Sequence, residues 1–385
     1  MTKQNAEFCG CQSAERLFAV QAVHHYASGH DGGSELRKHC NGCAMGQTLE
    51  DLGWRPFFSA QISEDDGAGC HPSRVMAVHR GNIAVAGAGA MRLIPPYVAD
   101  ASVPEDRPTV GDWLLVDEVT LEVRRVLQRE NLFKRQAPGT DKKTQLIAAN
   151  VDTLFIVASC NKDFSTARLE RYLVLAQEVG VQPVVILTKT DLTDTPDIFV
   201  AAVRDLRPGL LIEAVNGRDP VSVARLATWC GRGQTVALVG SSGVGKSTLV
   251  NSLRGSDGIM TQAIRKGDDT GRHTTTVREM HRLAGGGWLL DTPGMRELQL
   301  TDAGSGIAEI FDDFVEAAEH CRFSNCTHEV EPGCAVRAAI ADGRLSAARL
   351  DRWRRLTSEE IYNKASPTER RALHRIATRV STKKK

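Results

Sequence analysis

The feature that most constrains this fold is a glycine-rich loop between an apolar run and a helical pattern. The segment 240–247, GSSGVGKS, fits the pattern G-x-x-x-x-G-K-[ST]. The apolar run 235–239 precedes it, and a helical pattern over 247–253 follows. Glycines let backbone N–H groups turn inward around phosphate oxygens, and the helix N-terminus adds a positive partial charge. The sequence therefore predicts a phosphate-binding loop.

The predicted loop assigns roles to individual side chains. Lys246 is expected to reach the β- and γ-phosphates, and the hydroxyl of Ser247 is expected to bind Mg²⁺. Backbone groups of the whole segment would surround the nucleotide. The predicted nucleotide-binding residues here are Gly240, Ser241, Ser242, Gly243, Val244, Gly245, Lys246, Ser247 and Thr248.

Two further segments are predicted to complete the phosphate site. The segment 291–294, DTPG, ends an apolar run, so Asp291 could hold Mg²⁺ through water and the Gly294 N–H could approach a γ-phosphate. The polar segment 271–276, GRHTTT, lies between the two motifs. It is typical of a loop that places one threonine oxygen on Mg²⁺; Thr275 is the first choice and Thr274 the second.

A base-reading motif is predicted at 188–191, TKTD, directly after the apolar run 184–187. It approximates the N-K-x-D element of GTPases. A carboxylate at Asp191 can accept hydrogen bonds from both N1–H and N2–H₂ of guanine, a donor pair that adenine lacks. The stem of Lys189 could lie over the purine. Thr188 replaces the usual Asn, so one side-chain contact with the nucleotide or with the phosphate loop is expected to be weaker. Thr190 is the remaining residue of this predicted nucleotide-binding motif.

The order of these motifs is unusual, because the base-reading motif precedes the phosphate loop. This order predicts a circularly permuted α/β domain with a mostly parallel sheet, in which strand-like runs alternate with helical patterns from residue 150 onward. Permutation is physically tolerable because domain termini usually lie close together. The segment after Asp291 is then tied directly to whatever follows residue 305, so nucleotide state could move that C-terminal part.

The chain has 385 residues, which favours two or three domains. We expect residues 1–48 to be an extension that is either disordered or lies upstream of the true start of translation. Its four cysteines could hold a second metal ion. Short strand patterns predict a small β-barrel over 49–135, either an OB fold or an SH3-like barrel. A nucleotide-binding domain over 136–304 and a helical module over 305–385 are predicted to follow.

The net charge of +1 predicts no nucleic-acid preference by itself. Without a signal-peptide pattern or long apolar segment, a cytoplasmic protein away from membranes is expected.

A zinc site is predicted near the C-terminus. Three thiols and one imidazole stand in the spacing C-x4-C-x-H-x5-C, which suits tetrahedral Zn²⁺ in a closed structural site. Downstream, residues 351–385 contain 11 Lys or Arg and four acids, which favours contact with RNA phosphates. A solvated basic helix end is the alternative for that tail. The predicted zinc ligands are Cys321, Cys326, His328 and Cys334.

These motifs together resemble the ribosome-small-subunit-dependent GTPase A family, RsgA, also called YjeQ. The match spans about residues 49–365 and includes 110–113, VGDW, and 150–152, NVD. The resemblance implies an OB-fold barrel on ribosomal RNA and one structural zinc. It implies a Mg²⁺-dependent GTPase that is stimulated by the small subunit, assists its late maturation and leaves after converting GTP to GDP. A monomer fits the family, and DNA is not an expected partner.

The resemblance also implies a catalytic role for His273. Met295 follows the DTPG segment, where many GTPases carry a water-orienting Gln. An apolar side chain cannot position water, so His273 in the 271–276 loop is the family's candidate. The sequence departs from the pattern at Thr188, at 213–216 and in the first 48 residues. Two rival functions stay open: an RNA-binding assembly placeholder with GTP as a structural ligand, and an ATPase.

Overall fold

The structure, a computed structural model, describes residues 47–63, 66, 69–79, 81–89, 91–96, 98, 103–136, 144–255, 278–291, 303–365 and 369. Residues 1–46 of the predicted extension 1–48, the segments 256–277 and 292–302, and the end of the basic tail lie outside the described residues. Among the helices that the structure describes, none combines the length and apolarity needed to cross a membrane.

The described part holds thirteen strands and nine α-helices. The strands are β1 Cys70–Val78, β2 Ile83–Ala86, β3 Arg92–Ile94, β4 Trp113–Asp117, β5 Val123–Val126, β6 Leu132–Gln136, β7 Thr144–Ala149, β8 Thr153–Ser159, β9 Gln182–Thr188, β10 Leu211–Ala214, β11 Thr235–Val239, β12 Arg278–Arg282 and β13 Trp288–Asp291. The helices are α1 Pro56–Ser59, α2 Thr166–Val179, α3 Pro196–Arg204, α4 Pro220–Val223, α5 Lys246–Arg254, α6 Gly304–Ile310, α7 Asp312–Glu319, α8 Ala335–Ala341 and α9 Ala347–Lys364. Short 3-10 turns cover Glu50–Leu52, Pro104–Asp106, Thr190–Leu192 and Ala224–Trp229.

One mixed sheet runs through most of the described chain, in the order β10-β9-β8-β11-β13-β12-β1-β2-β3, with β4 on β1 and β5 on β4. The strands β10, β9, β8, β11 and β13 are parallel, which agrees with the predicted α/β layer. The inner strands β8 and β11 are almost wholly buried, as parallel strands covered on both faces require, whereas the edge strand β10 is partly exposed, with Leu211 41% exposed. Strand β12 is antiparallel to both β13 and β1.

The antiparallel strands β1–β5 form a second part of this sheet, which we name the N-terminal β-region (residues 70–126). Strand β1 pairs with β2 at one end and with β4 at the other. An isolated parallel bridge joins Val98 to Val123 of β5. Apolar side chains fill the interior, and Val75, Ile83 and Leu114 have no exposed surface.

Several elements differ from the sequence prediction. Strand β12 and the β6–β7 ribbon were not predicted. Charged side chains interrupt β12 and β6, and the apolar run of β7 is only four residues long, Leu146 to Ala149. Within the predicted helical module, the spacing of Ile307, Ile310, Phe311 and Phe314 predicts one amphipathic helix, and this prediction is wrong. The structure has two helices, α6 and α7, because Phe311 leaves the helical region at φ −117° and ψ 37°. Its ring is fully buried, and Asp312 begins the next helix, where a negative charge is favourable.

A buried charge cluster attaches the C-terminal helices to helix α2. Glu170 on α2 has no exposed surface, and its carboxylate accepts two hydrogen bonds from Arg352 on α9. The guanidinium of Arg349 lies 3.7 Å from the same carboxylate. Gly306 on α6 lies so close to α2 that a Cβ atom there would stand 2.5 Å from the Val174 carbonyl oxygen. These contacts fix α6 and α9 on α2.

Candidate nucleotide site and metal centre

The predicted phosphate loop leaves the carboxyl end of β11 and opens helix α5, as the motif requires. Gly240, Gly243 and Gly245 all have positive φ, at 142°, 79° and 96°. At Gly240 a side chain is sterically excluded, because a Cβ atom would stand 2.3 Å from the Val157 carbonyl oxygen. The loop therefore depends on glycine both for its turn and for its packing against β8.

The amino group of Lys246 lies within the loop. Its Nζ donates to the carbonyl oxygen of Gly240 at 2.7 Å and to that of Ser241. Ser247 and Thr248 follow in the first turn of α5 and are partly exposed. A flexible ammonium held at the loop beside a helix N-terminus is suited to neutralising phosphate oxygens.

The base-reading segment and the phosphate loop meet through Thr188. Strand β8 lies between β9 and β11, so the carboxyl ends of all three face the same edge of the sheet. The Thr188 hydroxyl lies 2.5 Å from the carbonyl oxygen of Val244 and 3.1 Å from that of Ala158, so it can donate to either. Thr188 is buried, and Gly245 lies against its side chain. A threonine thus keeps the tether to the phosphate loop that the sequence comparison with N-K-x-D left in doubt.

The rest of the TKTD segment turns outward at this edge. Lys189 adopts a left-handed conformation with φ 60°, which begins the short turn Thr190–Leu192. The Asp191 side chain is exposed and lies in this turn. A carboxylate in that position remains accessible to a ligand at the loop edge.

The segment 213–219 lies beside both motifs. Strand β10 carries Ala214 in register with Leu187 of β9, and the Val215 N–H donates to the Leu187 carbonyl at 2.8 Å. The hydroxyl of Ser252 on α5 donates to the Gly217 carbonyl at 2.7 Å. The divergence of 213–216 is visible in the sequence, but the contact of Ser252 is not, because its spacing from the loop carries no signal.

Asp291 ends β13, the strand next to β11, so its backbone stands at the same edge as the phosphate loop. The other predicted residues of the phosphate site, Thr274, Thr275, His273 and Gly294, lie outside the described residues.

The predicted zinc ligands converge. The ligand atoms of Cys321, Cys326, His328 and Cys334 all lie within 4.8 Å of one another. The Sγ atoms of Cys321 and Cys334 are 3.9 Å apart, and His328 Nδ1 lies 3.6 and 3.5 Å from them. A tetrahedral ion with Zn–S of about 2.3 Å and Zn–N of about 2.0 Å requires edges of about 3.8 and 3.5 Å. The donor set and its spacing therefore fit zinc.

Neighbouring groups support this cluster. Burial opposes a thiolate at Cys321, but hydrogen bonds from the N–H groups of Val336 and Ala335 at the start of α8, together with those from Cys326 and Cys334, lower the pKa of that thiol. Burial lowers the pKa of His328, which favours the neutral ring that a metal requires. The His328 ring stacks on Trp353 at 5.5 Å between centroids.

Glu331 organises the loop that carries His328. Its carboxylate accepts hydrogen bonds from the N–H groups of Thr327, Glu329 and Val330 at 2.8, 2.9 and 3.1 Å. Hydrogen bonds from the Thr327 hydroxyl and from the N–H groups of Thr327, Glu331 and Val330 lower the pKa of Glu331 to about 2. Neither Glu331 nor Trp353 was identified from the sequence, because neither belongs to the Cys/His spacing.

Comparisons with known proteins identify relatives of this chain. The model of the RsgA GTPase family matches residues 126–301. The chain is 48% identical to "Small ribosomal subunit biogenesis GTPase RsgA 2" of Vibrio parahaemolyticus, over 85% of this chain and 90% of that protein. It is 47% identical to "Small ribosomal subunit biogenesis GTPase RsgA" of Mesorhizobium japonicum, over 83% and 92%.

Solved structures share the fold. YjeQ from Thermotoga maritima has a TM-score of 0.57 and 24% identity, covering 76% of this chain and 99% of that one. YloQ, described as a circularly permuted GTPase, has a TM-score of 0.53 and 22% identity, covering 79% and 99%. The strand order and the motif order agree with a circular permutation. From its motifs, its sheet and its relatives, this chain belongs to the RsgA GTPase family.

Proposed function

We propose that the protein is a GTP hydrolase that binds the small ribosomal subunit and assists its late maturation, leaving after GTP becomes GDP and phosphate. The observation that carries this proposal is the Thr188 bridge, which joins the TKTD segment to the phosphate loop across β8. The relatives are named as biogenesis GTPases of that subunit, and the chain covers nearly their whole length.

Each predicted residue has a role in this proposal. Lys246 and the loop amides from Gly240 to Thr248 hold the phosphates, and Asp191 with Lys189 recognises guanine. Ser247, Thr275 and Asp291 would hold Mg²⁺, which neutralises charge on the phosphates when bound. Gly294 approaches the γ-phosphate, and His273 orients the attacking water, since Met295 offers no polar atom.

The N-terminal β-region is proposed to be an OB-fold barrel that contacts ribosomal RNA. Its support is the strand order β1-β2-β3 with β4 and β5 on the other side of β1, together with the parallel Val98–Val123 bridge and an apolar interior. We also propose the domain limits 49–135, 136–304 and 305–385, one structural zinc ion, a cytoplasmic monomer, and RNA contact by the basic residues of 351–385.

The zinc cluster is proposed to be structural. Three thiolates and one imidazole complete a tetrahedral shell and leave no position for a reacting water. The loop 321–334 has little apolar core of its own, with Phe323 and Val330 exposed. Metal binding would therefore supply folding free energy to this loop.

The test measures GTP turnover of the full chain with and without purified small subunits. We expect subunits to raise turnover of the wild type, and His273→Ala to lose most of that rise. Lys246→Ala, which removes the phosphate-binding ammonium, serves as an inactive control. If subunits bind but turnover stays at its unstimulated value, the protein is an RNA-binding placeholder that uses GTP as a structural ligand.

A further inference from the structure

The N-terminal β-region and the nucleotide site share one strand, β12. The backbone of Val78 in β1 pairs with Arg278, and Ala77 pairs with Glu279. On its other side, Glu279 pairs with Asp291 of β13. Ala77, Glu279 and Asp291 thus lie in one row across three strands. The distance from β1 to Asp291 is two strand spacings, about 10 Å.

Arg278 anchors β12 from a second direction. Its guanidinium Nη1 donates to the carbonyl oxygen of Leu146 on β7 at 2.5 Å. Burial lowers the pKa of Arg278, and the neighbouring Arg135 adds repulsion. The β6–β7 ribbon in turn joins the N-terminal β-region, since the Ala149 N–H donates to the Val110 carbonyl at 2.9 Å. Arg278 is therefore held by backbone pairing on one side and by its side chain on another.

We infer that Arg278 is a positioning residue for GTP hydrolysis, because it fixes β12 and so the row that ends at Asp291. The inference rests on the proposed function and adds a route for its regulation. A ligand that shifts the N-terminal β-region relative to the parallel layer must displace β12 or break its two pairs with β1. A displacement of β12 reaches the end of β13 through their four residue pairs, and there Asp291 stands beside the phosphate loop.

This geometry predicts how small-subunit stimulation reaches the nucleotide. Strand β12 has only short pairing with β1, over two residue pairs, while its pairing with β13 covers four. Because more pairs join β12 to β13 than to β1, we expect a displaced β12 to carry the end of β13 with it. The C-terminal helices, by contrast, are fixed on α2 by the buried Glu170 cluster.

The experiment compares Arg278→Ala with Arg282→Ala. Both remove one arginine from β12, but Arg282 pairs with Trp288 and stacks over its ring at 5.8 Å, away from β1. GTP affinity, small-subunit affinity by cosedimentation, and kcat with and without subunits are measured. We expect Arg278→Ala to lower subunit-stimulated kcat by about tenfold, with both affinities within about twofold of wild type. Arg282→Ala should stay near wild type, and Arg278→Lys should recover part of the stimulation by donating to Leu146.

Equal stimulation of Arg278→Ala and Arg282→Ala would overturn the inference. A second measurement does not depend on any variant folding: deuterium exchange of the wild type in GDP and in a non-hydrolysable GTP analogue. Peptides that cover 74–79 and 278–282 should change uptake together between the two nucleotides, and unchanged uptake in 74–79 would also overturn it. If the wild type shows no subunit stimulation, the proposed function fails, while the exchange experiment still decides whether β12 couples the two parts.

Discussion

The hydroxyl of Thr188 lies 2.5 Å from the carbonyl oxygen of Val244, so the two nucleotide motifs are joined directly although 56 residues separate them. This contact replaces part of what the longer Asn of the N-K-x-D element would provide. A threonine hydroxyl has one hydrogen, so it can satisfy either Val244 or Ala158 at one time. It tethers the phosphate loop without reaching further toward a base.

Thr188→Val tests this tether, because valine keeps the shape and removes the hydroxyl. We expect the free energy of unfolding to fall by about 1–3 kcal/mol, since a buried carbonyl loses its donor. GTP should bind about fivefold to tenfold more weakly. Titration with a fluorescent GTP analogue and urea unfolding measure both effects. Thr188→Ser keeps the donor and should bind nearly as the wild type does; equal binding by all three proteins would contradict the role.

Asp191→Asn tests base recognition. The exposed carboxylate can accept two hydrogen bonds from guanine, and the amide replaces one acceptor by a donor that faces the base N–H groups. We expect the preference for GTP over ATP to fall by about tenfold or more. Competition binding of the two nucleotides gives the ratio. Asp194→Asn, three residues along and also exposed, is the matched control; a preserved preference in Asp191→Asn would exclude this residue as the base reader.

Cys326→Ser tests the zinc centre. One ligand in four is lost, so we expect the metal content measured by mass spectrometry to fall below one zinc per chain. Because the loop 321–334 gains folding free energy from the metal, its deuterium exchange should rise at the same time. Cys70→Ser is the control, since Cys70 lies on β1 outside the cluster. Full zinc content in Cys326→Ser would rule out the four-ligand site.

Glu170→Gln tests the attachment of the C-terminal helices. Removing this buried charge leaves Arg352 without its carboxylate, while Arg349 keeps its pair with Asp313, so we expect a loss of about 3–5 kcal/mol in the free energy of unfolding. Glu359→Gln breaks the ion pair between Glu359 and Arg171, whose side chains are 34% and 30% exposed. This change should lower the free energy of unfolding by less than about 1 kcal/mol. Denaturant unfolding compares the two, and equal small losses would show that the buried cluster does not hold α9 on α2.

The low pKa of Asp51 predicts part of the loss of folding stability at acid pH. Hydrogen bonds from Arg232 and from the Thr48 N–H lower the pKa of Asp51 from 3.8 to about 2. A depressed carboxylate pKa stabilises the fold above pH 3.8, and this stabilisation is lost as the pH falls through about 2. Unfolding measured against pH should show Asp51→Asn destabilised near neutral pH, with the difference from wild type shrinking over that interval. Parallel curves would mean that the pair with Arg232 contributes nothing.

Much of the candidate site could be predicted from the sequence, because its chemically important residues lie in short continuous segments. The loop 240–248 and the cluster of Cys321, Cys326, His328 and Cys334 each carry their own spacing. In the structure the loop glycines have positive φ, and the four possible ligand atoms lie close together. Strand β12 could not be predicted, because its residues Arg278 to Arg282 are mostly polar and its place depends on two partners distant in sequence. The helix break at Phe311 could not be predicted for a related reason. The apolar periodicity continues through this residue, whereas the tertiary packing of its ring determines the backbone conformation.

The sequence by itself determined which groups are available for nucleotide and metal binding, since local spacing sets which backbone amides, thiols and carboxylates can converge. Only the tertiary structure decided how those groups are connected. The Thr188 bridge, the Glu170 cluster and the row from Ala77 to Asp291 all join residues far apart in the chain. Such contacts follow from strand order and helix packing, which depend on the whole buried core and carry no local pattern.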